Sequence, residues 1–372
     1  MREPNERRTE AGTMTGISSP ERGRTLSRIA TAIGLAGALI CLPMGVAQAQ
    51  GPHDETRPAV MSLKAANTLL LDVARAGDRL VAVGSRGHIL YSDDQGDTWL
   101  QAPVPTRQML TAVHFVDEKR GWAVGHDSLI LHTEDAGETW TQQYRDPELE
   151  VAIDPEGPGL LEKPLMDVWF RDAQTGFAFG AYGLALRTDD GGQTWNDITY
   201  DIDNENGFHY NAVTPVGEQG LFLVGEMGTM YRSNDLGDTW ETIQDIPYDG
   251  SLFGATGIGK ENVVLVWGLR GNMYRSEDFG DTWEQVELET DHNGPLEATL
   301  FGGNATEDGK VVVVGAGGAV VTSEDRGRNF DVAFRPDRSA LAMGKVLENG
   351  QILLVGQRGV IKANSEGMPA EL

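Results

Sequence analysis

The sequence predicts an all-β protein, a seven-bladed β-propeller with four-stranded antiparallel blades, and two repeated motifs support that prediction. The first motif, S/T-x-D-x-G-x-T-W, occurs six times, the last time with Asn-Phe in place of Thr-Trp. Its closing aromatic residues stand at positions 99, 140, 195, 240, 283 and 330, at intervals of 41 to 55 residues. A period in the forties with turn chemistry at a fixed offset is typical of β-propellers and related repeat arrays.

Each recurring type of residue in the first motif suits a tight turn between two strands. The Asp carboxylate can accept hydrogen bonds from nearby backbone N–H groups, and the Gly can adopt a positive φ. Thr and Trp fit the start of a half-buried strand. Because six similar catalytic or calcium sites in one chain are implausible, we interpret these carboxylates as structural. They are Asp94, Asp135, Asp190, Asp235, Asp278 and Asp325.

The second motif, an apolar residue followed by Gly-x-x-Gly or Gly-x-x-Ser, sets the number of blades at seven. Its copies begin at Gly84, Gly125, Gly180, Gly225, Gly268, Gly315 and Gly356. Each lies between two short apolar runs, which predicts a strand, a glycine turn and a second strand. A phosphate-binding loop would require a following helix, and no helical pattern follows any copy.

The chain divides into a leader and one domain. Residues 1–49 have the pattern of a signal peptide, with basic residues before the apolar run from Ile29 to Met44 and Ala-Gln-Ala before Gln50. The run is short for a membrane span, and Cys41 does not follow a small residue, so we expect no membrane or lipid anchor. Residues 50–372 then form the propeller.

Closure of the ring requires one more strand, because the seventh repeat ends near Ala363 after three. We expect the stretch from Pro58 to Leu63 to supply the fourth strand and so to cover the open edge. The insert from Arg145 to Lys163 is rich in Pro, Gly and Glu, and we predict a loop there rather than an eighth blade.

Charge and composition exclude several classes of function. The chain has 56 acidic and 30 basic residues and a formal net charge of −26, which argues against nucleic acid and anionic lipid as partners. Its one Cys lies in the leader, so the propeller has no thiol chemistry. The seven His show no convincing ligand spacing, and we predict no metal and no cofactor.

One face of the propeller carries the candidate binding residues. In a four-stranded meander the glycine turns share a face with the connections between blades, opposite the Asp motifs. Three turns contain arginine at the same position: Arg86, Arg270 and Arg358. Converging guanidinium groups would bind carboxylates or an acidic peptide segment through bidentate pairs. The alternative is that these are solvated turn residues; His126-Asp127, in another glycine turn, is interpreted as a plain turn.

These features together resemble the photosystem II stability/assembly factor family of lumenal seven-bladed propellers, over roughly Pro58 to Gly367. The resemblance implies a non-catalytic scaffold that binds a newly made integral membrane protein or its exported segment, with Arg86, Arg270 and Arg358 in the binding role. The partner would be photosystem II or another envelope complex such as a transporter. The location would be the periplasm or a thylakoid lumen, and we expect a monomer.

Two other functions stay open. A sialidase-like glycosidase would need an arginine triad and a Tyr nucleophile activated by Glu. The candidate tyrosines, none of them tied to a Glu by a motif, are Tyr144, Tyr182, Tyr200 and Tyr210. A glycan- or calcium-binding module without catalysis would use Asp201, Asp203 and Glu205.

Overall fold

The computed structural model describes residues 57–150, 162–218, 220–245, 247–259, 262–291 and 294–369. The predicted signal peptide and the middle of the 145–163 insert lie outside these ranges. The regular structure within them consists of β-strands and short 3₁₀ turns. In the same ranges, no helix is long and apolar enough to cross a membrane.

Seven antiparallel sheets form the blades, each built from consecutive strands. The first contains β1 (Leu70–Ala76), β2 (Arg79–Gly84), β3 (Ile89–Ser92) and β4 (Leu100–Gln101). The second contains β5 (Leu110–Phe115), β6 (Gly121–Gly125), β7 (Ile130–Thr133) and β8 (Thr141–Tyr144). The third contains β9 (Leu165–Phe170), β10 (Gly176–Gly180), β11 (Ala185–Thr188) and β12 (Asn196–Asp197). The fourth contains β13 (Tyr210–Val216), β14 (Gly220–Gly225), β15 (Met230–Ser233) and β16 (Glu241–Thr242).

The remaining blades follow the same plan. The fifth contains β17 (Leu252–Gly257), β18 (Val264–Gly268), β19 (Met273–Ser276) and β20 (Glu284–Gln285). A small hairpin follows it, β21 (Glu289–Thr290) and β22 (Gly294–Pro295). The sixth contains β23 (Leu300–Ala305), β24 (Val311–Gly315), β25 (Ala319–Ser323) and β26 (Asp331–Phe334). The seventh contains β27 (Leu341–Val346), β28 (Ile352–Gly356) and β29 (Gly359–Ala363). The predicted seven-bladed fold is confirmed.

The blades close into a ring through side chains. The innermost strands contact one another in chain order, and β27 of the last blade contacts β1 of the first. A separate apolar cluster lies between each pair of adjacent blades. At the seam, Leu70 and Leu80 of the first blade pack with Leu353 and Val355 of the seventh. The core is therefore divided among seven similar interfaces.

The prediction that the stretch from Pro58 to Leu63 supplies the fourth strand of the seventh blade is wrong. The seventh sheet has three strands, and residues 58–63 form no strand. Instead, the Ala59 N–H donates to the carbonyl of Val104 and the Gln101 side chain bonds to the backbone of this segment, so it lies along the outside of the first blade. The last blade folds its own tail back, with a bridge between Ala363 and Pro369. The nearby tail covers that edge without a long-range strand.

The six Asp motifs form the turns between third and fourth strands, as predicted. In the fifth blade the carboxylate of Asp278 accepts from the Thr282 N–H at 2.8 Å, the Thr282 hydroxyl at 2.7 Å and the Ser276 hydroxyl at 2.8 Å. The sixth copy preserves this pattern despite its altered sequence, because the Asn329 side-chain amide donates to Asp325 where Thr does elsewhere. In both copies the carboxylate is engaged by groups of its own turn.

Basic side chains on the strands fasten several of the Asp motifs to the blade before them. Arg187 in the third blade pairs with Asp238 in the motif of the fourth, and Arg232 pairs with Asp281 in the motif of the fifth. Lys362 of the last blade pairs with Asp97 of the first at 2.7 Å. The seam thus uses the same kind of ion pair as interfaces elsewhere in the ring.

Candidate functional site

The glycine turns and the connections between blades form one face, here called the tip face. We call the residue two positions after the first Gly of each motif the tip residue. Six tip residues lie in 3₁₀ turns with φ between 54° and 63°: Arg86, Asp127, Tyr182, Met227, Arg270 and Gly317. The seventh, Arg358, lies in a tight turn between the paired residues Gly356 and Gly359.

This shared backbone shape would suit glycine at every tip. A left-handed conformation costs a residue with a Cβ about 1–2 kcal/mol, and Gly is exempt. Only Gly317 uses that exemption among the six left-handed tips. The other five hold a side chain at a strained position, and four of those five side chains are exposed to solvent. The fold therefore gains nothing evident from the identity of these exposed side chains.

The three predicted arginines are exposed at their tips. No hydrogen bond or ion pair joins their guanidinium groups to other residues in the described part of the chain. His88 follows two residues after Arg86, and its Nδ1 forms a 2.9 Å hydrogen bond with the Thr68 hydroxyl. Burial, with a contribution from the Arg86 charge, lowers the pKa of His88. This shift favours the neutral imidazole beside the charged guanidinium of Arg86.

Sequence reasoning missed a fourth arginine. Arg338 lies in the connection after the sixth blade, and its backbone passes so close to Gly318 that a Cβ there would be 3.2 Å from the Arg338 Cα. Its exposed guanidinium stacks over the Phe334 ring, 4.6 Å from the centroid. The sixth blade has only glycine at its tip, and Arg338 supplies the missing cation. No repeat marks this residue; its place after Arg335-Pro336-Asp337 was the only signal.

The four arginines therefore occupy four successive blades, the fifth, sixth, seventh and first. We call Arg270, Arg338, Arg358 and Arg86 the arginine arc. Asp337 lies among them. The Ser339 amide, followed by the charges of Arg335 and Arg358, lowers the pKa of its carboxyl. Arg270 differs from the others in its surroundings, because Glu287, Glu289 and Glu297 line a groove of about 700 Å³ beside it.

The other three blades have no exposed arginine at their tips. In the second blade, the tip residue Asp127 is buried and pairs with Arg145, and it also accepts a hydrogen bond from Gln108. In the third and fourth blades the tips are Tyr182 and Met227, with 46% and 53% of their surface exposed. The tip face is thus divided between a basic part and an apolar part.

The central channel contains ionisable groups that serve the ring. Asp72 on β1 accepts the Val113 N–H of the second blade, and Asp167 on β9 accepts the Val213 N–H of the fourth, each at 2.8 Å. Burial raises the pKa of Asp167 to about 7. Both carboxylates face a cavity of about 520 Å³. Because their oxygens bond to neighbouring backbones, they act as ties between inner strands.

Two of the tyrosines considered for glycosidase chemistry, Tyr210 and Tyr144, are in surroundings that disfavour ionisation. Tyr210 is buried, its ring lies edge-on to Tyr231, and burial raises its pKa to about 12. Burial likewise raises the pKa of Tyr144. An activated phenol nucleophile would need the opposite shift. Among the residues the structure describes, no three His, Cys, Asp or Glu side chains are placed to hold a metal ion together.

Comparison with known proteins identifies the family. The profile described as "Photosynthesis system II assembly factor YCF48" matches residues 53–154 and 160–297. The photosystem II assembly lipoprotein Ycf48 of Synechococcus sp. (strain CC9902) is 32% identical over 101 residues, 27% of this chain and 30% of that protein. The photosystem II stability/assembly factor HCF136 of Oryza sativa subsp. japonica is 25% identical over 242 residues, 59% of this chain and 56% of that protein. The chain thus spans between about a third and three fifths of the length of these relatives.

Solved structures share the fold. "YCF48 bound to D1 peptide" superposes with a TM-score of 0.59 at 18% identity, over 82% of this chain and 95% of the other. A virginiamycin B lyase from Staphylococcus aureus superposes with a TM-score of 0.64 at 11% identity, over 82% of this chain and 97% of the other. An assembly factor and a lyase thus share this propeller, so the fold alone does not decide the function. The matched profile covers well over half of the sequence, and this chain belongs to the photosystem II assembly factor YCF48 family.

Proposed function

We propose that the protein is an exported, non-catalytic scaffold that assists assembly or stability of a membrane protein complex by holding an exported segment of one subunit on its arginine arc. The observation that carries the proposal is the arc itself. Four successive blades each present an exposed guanidinium, and none of the four forms an ion pair with another described residue. In a chain with a net charge of −26, exposed guanidinium groups that are not held in ion pairs favour an external acidic ligand.

The relatives support the type of partner. The curated relatives are photosystem II assembly factors, and one solved relative holds a D1 peptide. Carboxylates of such a segment would pair with guanidinium groups through two parallel hydrogen bonds, which fixes orientation as well as adding affinity. The client of this chain is then photosystem II or another envelope complex. The predicted signal peptide supports a periplasmic or lumenal location.

Affinity capture tests the proposal. The tagged protein is incubated with detergent-solubilised membranes beside an Arg86→Glu/Arg338→Glu/Arg358→Glu variant, and bound proteins are identified by mass spectrometry. We expect the wild type to retain a membrane protein that the variant loses, because each reversal replaces attraction for carboxylates with repulsion.

A matched control separates the arc from net charge. The Lys119→Glu/Lys310→Glu/Arg328→Glu variant makes the same change of charge on the opposite face, where Lys119 is exposed and Arg328 lies in an Asp motif. We expect this variant to retain the client. Equal loss in both variants would show that overall charge, rather than the arginine arc, determines capture. A wild type that retains no membrane protein would contradict the scaffold function.

A further inference from the structure

The apolar part of the tip face has features that the arginine arc does not explain. Tyr182 and Met227 occupy left-handed positions, with φ of 58° and 54°, where the sixth blade has glycine. Bulky residues at such positions are uncommon and are strained. Both side chains point outward enough to leave about half of their surface in water. Neither the turn nor the core benefits from them, which suggests that they contact something else.

The two tips belong to one continuous surface. The Tyr182 ring lies edge-on to His209, with centroids 4.7 Å apart. The His209 N–H donates to the Glu226 carboxylate at 3.0 Å, and the Glu226 N–H donates to the His209 carbonyl at 3.0 Å. Glu226 directly precedes Met227. These contacts connect the third and fourth blades, so Tyr182 and Met227 are held in a fixed relation.

Acidic side chains lie on the connection next to this surface. The connection between the third and fourth blades carries Asp201, Asp203 and Glu205, all exposed. It also carries Tyr200, which is 98% exposed. In the described residues no Lys or Arg forms an ion pair with these three carboxylates. The loop lies against the turn of the third blade, because a Cβ at Gly183 would be 2.9 Å from the Asn204 side-chain nitrogen. Within the loop, the Asn204 side chain exchanges two hydrogen bonds with the backbone of Phe208.

We propose that Tyr182, Met227 and Tyr200, which we call the aromatic patch, form a second binding site for an extended peptide segment in which basic and apolar side chains alternate. Tyr faces bind Lys and Arg through cation–π contacts. Met adapts its shape to apolar side chains. The surrounding carboxylates complement the positive charge and exclude an acidic segment. The proposal rests on the proposed function in one respect: a single client carrying both an acidic and a basic-apolar stretch would reach both sites and bind in one orientation.

Peptide binding measured by fluorescence anisotropy tests this site. The probes are a labelled 12-residue peptide alternating Lys with Leu or Phe, a peptide of equal charge with Gly in place of the apolar residues, and an acidic peptide of Asp and Gly. The wild type is compared with Tyr182→Gly/Met227→Gly and with Arg86→Gly/Arg270→Gly. Both variants place glycine where the backbone already has a positive φ, so neither should unfold, and a thermal melt verifies this.

We expect the Tyr182→Gly/Met227→Gly variant to bind the Lys-apolar peptide at least tenfold more weakly while its affinity for the acidic peptide changes less than twofold. The substitution leaves the net charge unchanged, so general attraction of a cationic peptide to an acidic protein would survive it. The site would be overturned if wild type and variant bound the Lys-apolar peptide with equal affinity. It would also be overturned if the wild type bound the Lys-apolar peptide no more tightly than the Lys-Gly peptide. Failure of the acidic peptide alone would instead count against the arginine arc and leave this site standing.

Discussion

The two faces of the propeller use repeated turns in opposite ways. At the Asp motifs both the backbone and the side chains repeat, and each carboxylate is engaged by hydroxyl and N–H groups of its own turn. At the tips the backbone repeats, but the side chain changes from Arg to Asp, Tyr, Met and Gly. Repetition of a side chain marks a structural requirement. Where the side chain varies while the strained backbone stays the same, the position is available for binding.

Substituting glycine on the two faces should give the largest difference in the free energy of unfolding. A Cβ at Gly237, where φ is 98°, would overlap the Phe177 ring of the preceding blade, whereas a Cβ at Gly317 would have no neighbour within 4 Å. We expect Gly237→Ala to lower the free energy of unfolding by about 3 kcal/mol or more through overpacking and backbone strain. Gly317→Ala should lower it by about 1 kcal/mol, from strain alone. Urea denaturation measures both; equal losses would mean that the close approach is not what requires glycine.

Removing a motif carboxylate should have the next largest effect. Asp135→Ala deprives the Thr139 N–H, the Thr139 hydroxyl and the Thr133 hydroxyl of their acceptor. We expect a loss of about 2 kcal/mol in the free energy of unfolding, since hydrogen bonds to charged groups are stronger than average. Asp201→Ala on the tip face is the control, and its change should stay within about 0.5 kcal/mol. A comparable loss at Asp201 would remove the distinction between the faces.

Acid should remove part of the stability that the Asp motifs contribute. Hydrogen bonds led by those from the Asn329 amide and N–H hold the pKa of Asp325 at about 2, below its ordinary value of 3.8. A carboxyl whose pKa is lowered by folding contributes stability above pH 4 and loses it as the pH falls towards 2. We therefore expect Asp325→Asn to reduce the slope of stability against pH between pH 4 and pH 2. An unchanged slope in equilibrium unfolding would show that the carboxylate is not stabilised by its turn.

The smallest effect on stability is expected in the arginine arc. Arg338→Ser removes only the stacking of an exposed guanidinium on Phe334, and the melting temperature should change by no more than a degree or two. Its affinity for the acidic peptide should nevertheless fall. A large loss of stability with unchanged binding would assign this arginine to the fold.

The turns and blades could be predicted from the sequence because each motif acts locally. The six Asp motifs and seven glycine turns each specify a turn through residues a few positions apart, and the register of strands follows. Arg338 could not be placed, because a loop outside the repeat carries it over Gly318. The closing strand was predicted wrongly for a related reason. The segment from Pro58 to Leu63 could lie along the outer edge of either the seventh or the first blade, and its bonds to Gln101 and Val104 hold it on the first. Contacts between segments that are distant in the sequence produce no repeating sequence pattern from which they could be predicted.

Each described sheet is made from one uninterrupted stretch of chain, and this affects where the chain could begin and end. The seam between the seventh and first blades is held by an apolar cluster and by the Lys362–Asp97 pair, the same means that join blades elsewhere. In the part of the chain that the structure describes, the seam therefore shows no dedicated clasp, and any blade could serve as the first. A circular permutant with new ends in another connection between blades would keep every sheet whole, whereas a cut inside a blade would split one.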